Sequence, residues 1–456
     1  MSSRYLKNNL QPPPLDIISL QQIRDSLRLA VFKAIDLIET QKKKIHKVDD
    51  SIYVGTTVVI ALSGIALTYL RLVQQKNSLN LSDEQQRFLL GRARTYLAPR
   101  HSSPKPMRPG RLSPLDSALG AAVTRIILDL YCSSGSNDAE VQIQEADIHM
   151  LEEAVDMALK GDDTGTNEIL YGKAGLIYAL CQLRGALGNG RLSGKRLEQL
   201  TNDETLGLLV DAIIDEGKAS RLRGIPLYFE WHGKCYIGAM HGIAGIVTVL
   251  LQCPSHIIEG HRQVLIESIK HLCSLVQQNQ GHLPSSLPVR QRPDPLVQIC
   301  HGTPGYLLLT STLKRLYPDW FREIEQDTEL SMQAASDVVW KQGLLYKGLG
   351  ICHGVTGNAW PWLLMASLPG SDNGDYLAKA LAFVQHATEL PPMPAPGDMD
   401  SPYRTPDRPY SLFEGLAGAV CCWAEACTVI TSKLGDATST MLGMPGLGGV
   451  GITGIL

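Results

Sequence analysis

The sequence predicts an all-α protein, closed into an α/α toroid of seven inner and seven outer helices. Three observations lead there. A Gly-x-x-Gly turn recurs at Gly172–Gly175, Gly242–Gly245, Gly302–Gly305, Gly354–Gly357 and Gly415–Gly418, at intervals of 52 to 70 residues. That period is too long for one helix and suits a helical hairpin. Each turn opens an apolar segment, and Leu176–Cys181 and Ile246–Leu251 are apolar nearly all round, as helices buried on every side should be. Stepping the period back from Gly172 reaches Leu115–Ala122 and then Tyr53–Ala66, degenerate copies that bring the units to seven. An open solenoid also satisfies such a repeat. Burial of the inner segments on all sides favours closure, with every glycine turn at one end of the ring.

Residues 1–19 are proline-rich and read as irregular. From Leu20 to Lys47, Ile23, Leu27, Leu29, Val31, Ile35 and Ile38 recur at helical spacing and precede the basic run Lys42–Lys44. A solvated helix end is the favoured reading of that run; contact with an anionic membrane surface is the other. The second reading leaves open a peripheral membrane association and a plasma-membrane fraction. Ser51–Leu70 is free of charge and long enough to span a bilayer. Its place in the repeat, with Gly55 and Gly64 inside it, favours a buried first inner helix, although no clean Gly-x-x-Gly opens it. Leu115–Tyr131 follows as the second inner helix. The aromatic stretch Tyr228–Tyr236 suggests a short hairpin before the fourth. Segments 281–297 and 388–411 carry many prolines and read as long loops on one rim, where substrate-facing loops gather. One domain is expected over 1–436, and 437–456, dense in glycine and low in charge, is expected to be a flexible tail. Its Gly-Leu-Gly-Gly-Val-Gly run has the look of a dinucleotide loop, but no helix follows it.

The 456 residues exceed the usual single-domain size, yet no break in composition divides them. A formal net charge of −3 gives no ground for binding nucleic acid, which wants a concentrated basic face. Ten cysteines are too few and too irregular for a disulfide scaffold. Cys132, Cys181, Cys273, Cys421, Cys422 and Cys427 lie in apolar helical contexts and read as buried free thiols. No apolar signal core stands near Met1, and Ser2 occupies the place where myristoylation needs glycine. A cytoplasmic protein is expected.

Two stretches carry adjacent thiol and imidazole groups just before a glycine turn: Cys300-His301-Gly302 and Cys352-His353-Gly354. Cys300, Cys352 and His353 can supply three zinc ligands and leave a fourth position open, which separates catalytic zinc from the closed structural kind. Packing residues copied by duplication would give the same pattern. His301 is a rival ligand or an acid–base neighbour, and His241 a candidate proton donor or acceptor. Glu168 either orients the site or caps a helix. Two thiolates plus a bound substrate thiolate would make the centre negative, and Lys347, Arg404 or Arg408 could offset that. Arg408 and Glu414 are candidates for holding a substrate carboxylate and amine, or form a local ion pair.

Together these stretches resemble the lanthionine synthetase C-like family, in its eukaryotic branch. The residues that carry the resemblance are Glu230-Trp-His-Gly-Lys234, Gly238–Ile246, Cys300–Gly305, Cys352–Asn358 and Arg408–Gly418. It covers about Tyr53–Gly418 and is strongest after Asn167. The resemblance implies the ring of seven inner and seven outer helices, zinc on Cys300, Cys352 and His353, and a catalytic histidine at His241. Bacterial members close thioether rings by adding a peptide cysteine to a dehydrated Ser or Thr. Eukaryotic members bind glutathione, and the resemblance implies its addition to dehydroalanine or dehydrobutyrine in proteins or peptides. Lys347 matches a basic residue beside the zinc, and Arg4 an N-terminal glutathione contact. A non-catalytic glutathione- or protein-binding adaptor on the same scaffold is the alternative. Protein prenylation would need an Asp ligand, and a glycosidase two rim carboxylates.

Overall fold

The structure is a computed structural model describing residues 3–41, 62–97, 107–133, 142–160, 166–188, 194–219, 224–290, 294–368, 374–393, 401–436 and 440–456. Among these residues, long helices alternate between an outer and an inner layer. The outer helices are α1 (Ile17–Thr40), α3 (Asp83–Leu97), α5 (Glu145–Lys160), α7 (Asp203–Ala219), α9 (Arg262–Gln278), α11 (Glu325–Gln342) and α13 (Gly374–Ala387). The inner ones are α2 (Leu62–Gln74), α4 (Leu119–Cys132), α6 (Lys173–Leu187), α8 (Ile243–Leu250), α10 (Thr303–Leu316), α12 (Val355–Ala366) and α14 (Leu416–Lys433). Each inner helix packs on the next, and α14 returns to α2, so the ring is closed. Outer α1 packs on α14 and also touches the last outer helix, α13.

The difference in sequence pattern between the layers has a plain cause. Every side chain of α8 and α12 is buried, so no face had to be polar. Outer α1 buries Leu20, Ile23, Leu27, Val31, Ile35 and Ile38 and leaves its other face in water. It starts at Ile17, two residues earlier than Ser19, because Asp16 accepts the Ser19 N–H at 3.0 Å as an N-cap. Five inner helices begin directly after the expected glycines, Gly172, Gly242, Gly302, Gly354 and Gly415. The second inner helix begins at Leu119, after a short 3-10 turn at Pro114–Asp116.

The aromatic hairpin is present: β1 (Glu230–Trp231) pairs antiparallel with β2 (Lys234–Tyr236). Positive φ at His232 and Gly233 gives the tight two-residue turn such a hairpin needs. The proline-rich 281–297 segment adds a third strand, β3 (Ser286–Leu287), to β2. Residues 291–293 and 394–400 of the two rim loops, the Lys42–Lys44 run, and residues 51–61 of the uncharged stretch lie outside the described residues. The rest of that stretch is buried in α2. Among the described residues no helix is long and apolar enough to cross a membrane.

Two expectations are corrected. Cys132 is exposed, since it is the last residue of α4 and has left the core, whereas the other five named thiols are buried. Residues 440–456 are not a loose tail: Leu442, Met444, Leu447, Ile455 and Leu456 are all buried. Low charge and a backbone that can turn at positive φ let this segment enter the ring, where buried polar side chains receive its amides.

Two half-buried histidines tie stability to pH. Burial holds His271 on α9 and His386 on α13 below the ordinary 6.5. The folded values are depressed, so the unfolded chain takes up the proton first. Their contribution is therefore full above about 6.5 and is lost as pH falls through that value toward the folded one. A melting series from about pH 7.5 to about pH 5.5 is expected to show a falling Tm, less steep in His271→Gln. Equal slopes would contradict the assignment.

Candidate metal centre

Neighbouring glycine turns are joined edge to edge by backbone hydrogen bonds. Leu112 N–H donates to Tyr171 O at 2.8 Å, Ile169 to Met240 O at 3.3 Å and Met240 to Cys300 O at 3.3 Å; Cys300 donates to Cys352 O at 3.2 Å and Cys352 to Phe413 O at 2.8 Å. The ladder runs from the second unit to the seventh and carries both ligand cysteines as rungs. Such close approach requires glycine: a Cβ on Gly238 would stand 2.6 Å from Cys300 O, and Gly302 has φ +130°.

The ladder brings residues from two distant stretches together. Ligand atoms of Cys300, Cys352 and His353 all lie within 4.8 Å of one another. Both sulfurs are unbridged, and Gln298 Nε2 donates to Cys300 Sγ at 3.1 Å. The hydrogen bond from Cys352 holds the Cys300 thiol well below its usual range, against burial and helped by His353 and His301. The same bond pushes Cys352 up, as do burial and the charges of Cys300 and Glu414, with Lys347 opposing. Two sulfurs and an imidazole at this spacing fit the soft donor set that zinc prefers.

A second constellation adjoins the first. Glu168, 2 % exposed, accepts the N–H groups of Leu170 at 2.8 Å and Tyr171 at 2.5 Å, and stands 2.9 Å from His241 Nδ1. It therefore caps the turn and orients the histidine at once. With Nδ1 facing a carboxylate, Nε2 is the ring nitrogen that could exchange a proton with a substrate. The His241 ring lies under Trp231, with centroids 4.5 Å apart and planes 15° from parallel. His301 is 5.5 Å from His241 by centroids and 5.6 Å from Tyr236, between the His241 group and Cys300.

The charged candidates gather along the neighbouring rim. Tyr346 N–H donates to Arg4 O at 3.2 Å, so the N-terminal segment lies beside Lys347, and Arg4 Nε pairs with Asp294 at 3.2 Å. Arg404 N–H donates to Tyr346 O at 2.8 Å, adding the 401–411 loop to the same edge. Lys347 is exposed, and Glu414 acts electrostatically on Cys352. Arg408 is half-buried on the turn that opens α14.

Sequence reasoning passed over Trp231 as a member of the site and over Arg111. The Arg111 guanidinium sits 3.9 Å over the Tyr171 ring and pairs with Asp116, whose carboxyl burial pushes up. Trp231 had a signal, a tryptophan in a hairpin directly ahead of the His241 turn. Arg111 had none, because it belongs to a unit whose glycine turn is degenerate.

A family model for lanthionine synthetase C-like proteins matches residues 46–428. The chain is 29% identical over 262 residues to Glutathione S-transferase LANCL1 of Danio rerio, covering 56% of this chain and 57% of that protein. It is 32% identical over 271 residues to LanC-like protein GCL1 of Arabidopsis thaliana, covering 58% and 56%. The matches thus span somewhat over half the length of these relatives. Among solved structures, Nisin cyclase shares the fold with a TM-score of 0.57 and 16% identity, over 88% of this chain and 98% of that one.

Proposed function

The chain belongs to the lanthionine synthetase C-like family, and from that footing we propose that it adds a thiol, glutathione, across the double bond of dehydroalanine or dehydrobutyrine in proteins or peptides. The product is a thioether, and the cofactor a single zinc ion. The observation that carries this reading is the convergence of Cys300, Cys352 and His353 beside the oriented pair His241 and Glu168. Relatives bearing the names of a glutathione transferase and a cyclase support carbon–sulfur chemistry in general.

Cys300, Cys352 and His353 would hold the zinc. When bound, the ion lowers the pKa of a coordinated thiol and supplies thiolate at neutral pH. The chain's own residues do the rest. The basic rim of Arg4, Lys347, Arg404 and Arg408 suits the two carboxylates of glutathione, and Glu414 its amine. Attack of the thiolate sulfur on the β-carbon forms the C–S bond and moves the π pair toward the α-carbon and its carbonyl. His241, held at Nδ1 by Glu168, delivers a proton from Nε2 to the α-carbon, with His301 as the neighbouring relay. Nothing leaves, so the peptide gains the full mass of one glutathione. A cytoplasmic location belongs to the same proposal, since unbridged cysteines and a free-thiol substrate both suit a reducing compartment.

Purified protein, glutathione and a dehydroalanine peptide, followed by mass spectrometry, test it. The expected product is the one-glutathione adduct. Glutathione retained by the protein with the peptide mass unchanged would defeat the reaction and favour the adaptor.

A further inference from the structure

Residues 440–456 fill the lumen of the ring, and the seat that receives them is built for the purpose. Leu442 and Gly443 N–H donate to Glu425 Oε1 at 3.1 and 2.7 Å. The Arg71 guanidinium donates to Gly443 O, and to Leu456 O at 2.6 Å. Gln252 takes the Gly449 N–H at 2.8 Å and donates to Leu447 O at 2.8 Å. Gln182 accepts from Thr453 at 2.9 Å and Gly454 at 3.0 Å. These four side chains come from four different inner units, and none is more than 3 % exposed. Buried polar groups are costly without partners, and here their partners are the backbone of this segment.

The segment reaches through the ring. Arg71, Gln182 and Gln252 lie near the last turns of their inner helices or just beyond them, away from the glycine turns. From there the chain makes a tight turn, with Met444 and Gly448 exchanging backbone hydrogen bonds at 2.7 Å, and Gly446 at its tip with φ +74°. A Cβ on Gly446 would stand 2.8 Å from Leu115 Cδ2 and 3.1 Å from Phe413 Cζ. Both neighbours belong to the glycine-turn end, immediately before α4 and α14. Phe413 is also the residue whose carbonyl accepts the Cys352 N–H at 2.8 Å.

We infer that residues 440–456 are a lumenal plug that forms the floor of the candidate metal centre and steadies the Phe413 shelf carrying Cys352. The inference rests on the reading of Cys300, Cys352 and His353 as metal ligands. It implies that thiol and acceptor both approach from the glycine-turn rim, because the opposite end of the ring is filled by the chain itself.

Gly446→Val and Gly435→Val in the full chain separate this role from ordinary strain. Both glycines have positive φ, but nothing lies within 4 Å of a Cβ on Gly435. Cobalt(II) is the probe, read by its thiolate charge-transfer absorption. Gly446→Val is expected to weaken cobalt binding about tenfold, the scale of a lost outer support, and Gly435→Val less than about twofold. Equal affinities in the two variants would overturn the inference. Should Gly446→Val fail to fold, a full-length chain with a protease site at 437–439 is cut after purification. Retention of the fragment through gel filtration with cobalt affinity kept supports the plug, and release of the fragment with affinity unchanged overturns it. Absence of cobalt binding by the unaltered protein would instead sink the metal-centre reading, while fragment retention still reports on the plug.

Discussion

Cys352→Ala is expected to remove the metal and to lower thioether formation by more than ~100-fold, since loss of a direct ligand should exceed the loss of an outer support. The thiol is one of three donors within 4.8 Å, so two donors from the chain would remain, too few to keep zinc against water. The fold should survive. Cys352 holds the ladder with its backbone N–H and carbonyl, to Phe413 and from Cys300, and alanine keeps both. Metal analysis and a thermal melt on the same sample check the two halves. Full zinc content with undiminished product would rule the ligand assignment out.

His241→Ala is expected to leave zinc and glutathione binding in place while lowering the rate by about 10²–10⁴-fold, the usual contribution of a positioned proton donor. Glu168→Gln should share the effect by a different route. The carboxylate faces two backbone N–H groups and His241 Nδ1 together. An amide cannot accept from all three, so the imidazole loses the partner that fixes its tautomer. Single-turnover rates beside zinc content separate these effects from damage to the metal centre. A His241→Ala protein with the parent's rate would remove the histidine from the chemistry.

The layered ring and the ligand convergence were legible because both rest on repetition. A glycine that opens an inner helix must recur once per unit, and two Cys-His pairs ahead of such glycines must face one end of a closed ring. The helix starts after Gly302 and Gly354 agree with this to the residue. What could not be read lies where the pattern is broken. The plug has no period of its own, and glycine richness fits both a loose tail and a chain threaded through a narrow lumen. The discriminating signal was elsewhere: Arg71, Gln182 and Glu425 are long polar side chains on buried stretches of inner helices, Gln252 follows another directly, and all four bond to the plug. Arg111 was hidden for a related reason, in a unit that kept little of its turn.

X-ray absorption at the zinc edge of the purified protein measures the convergence itself. The account predicts two sulfur neighbours at about 2.3 Å and an imidazole nitrogen at about 2.0 Å, with a third sulfur on adding glutathione. A zinc shell without sulfur, or one unaltered by Cys352→Ala, would contradict it.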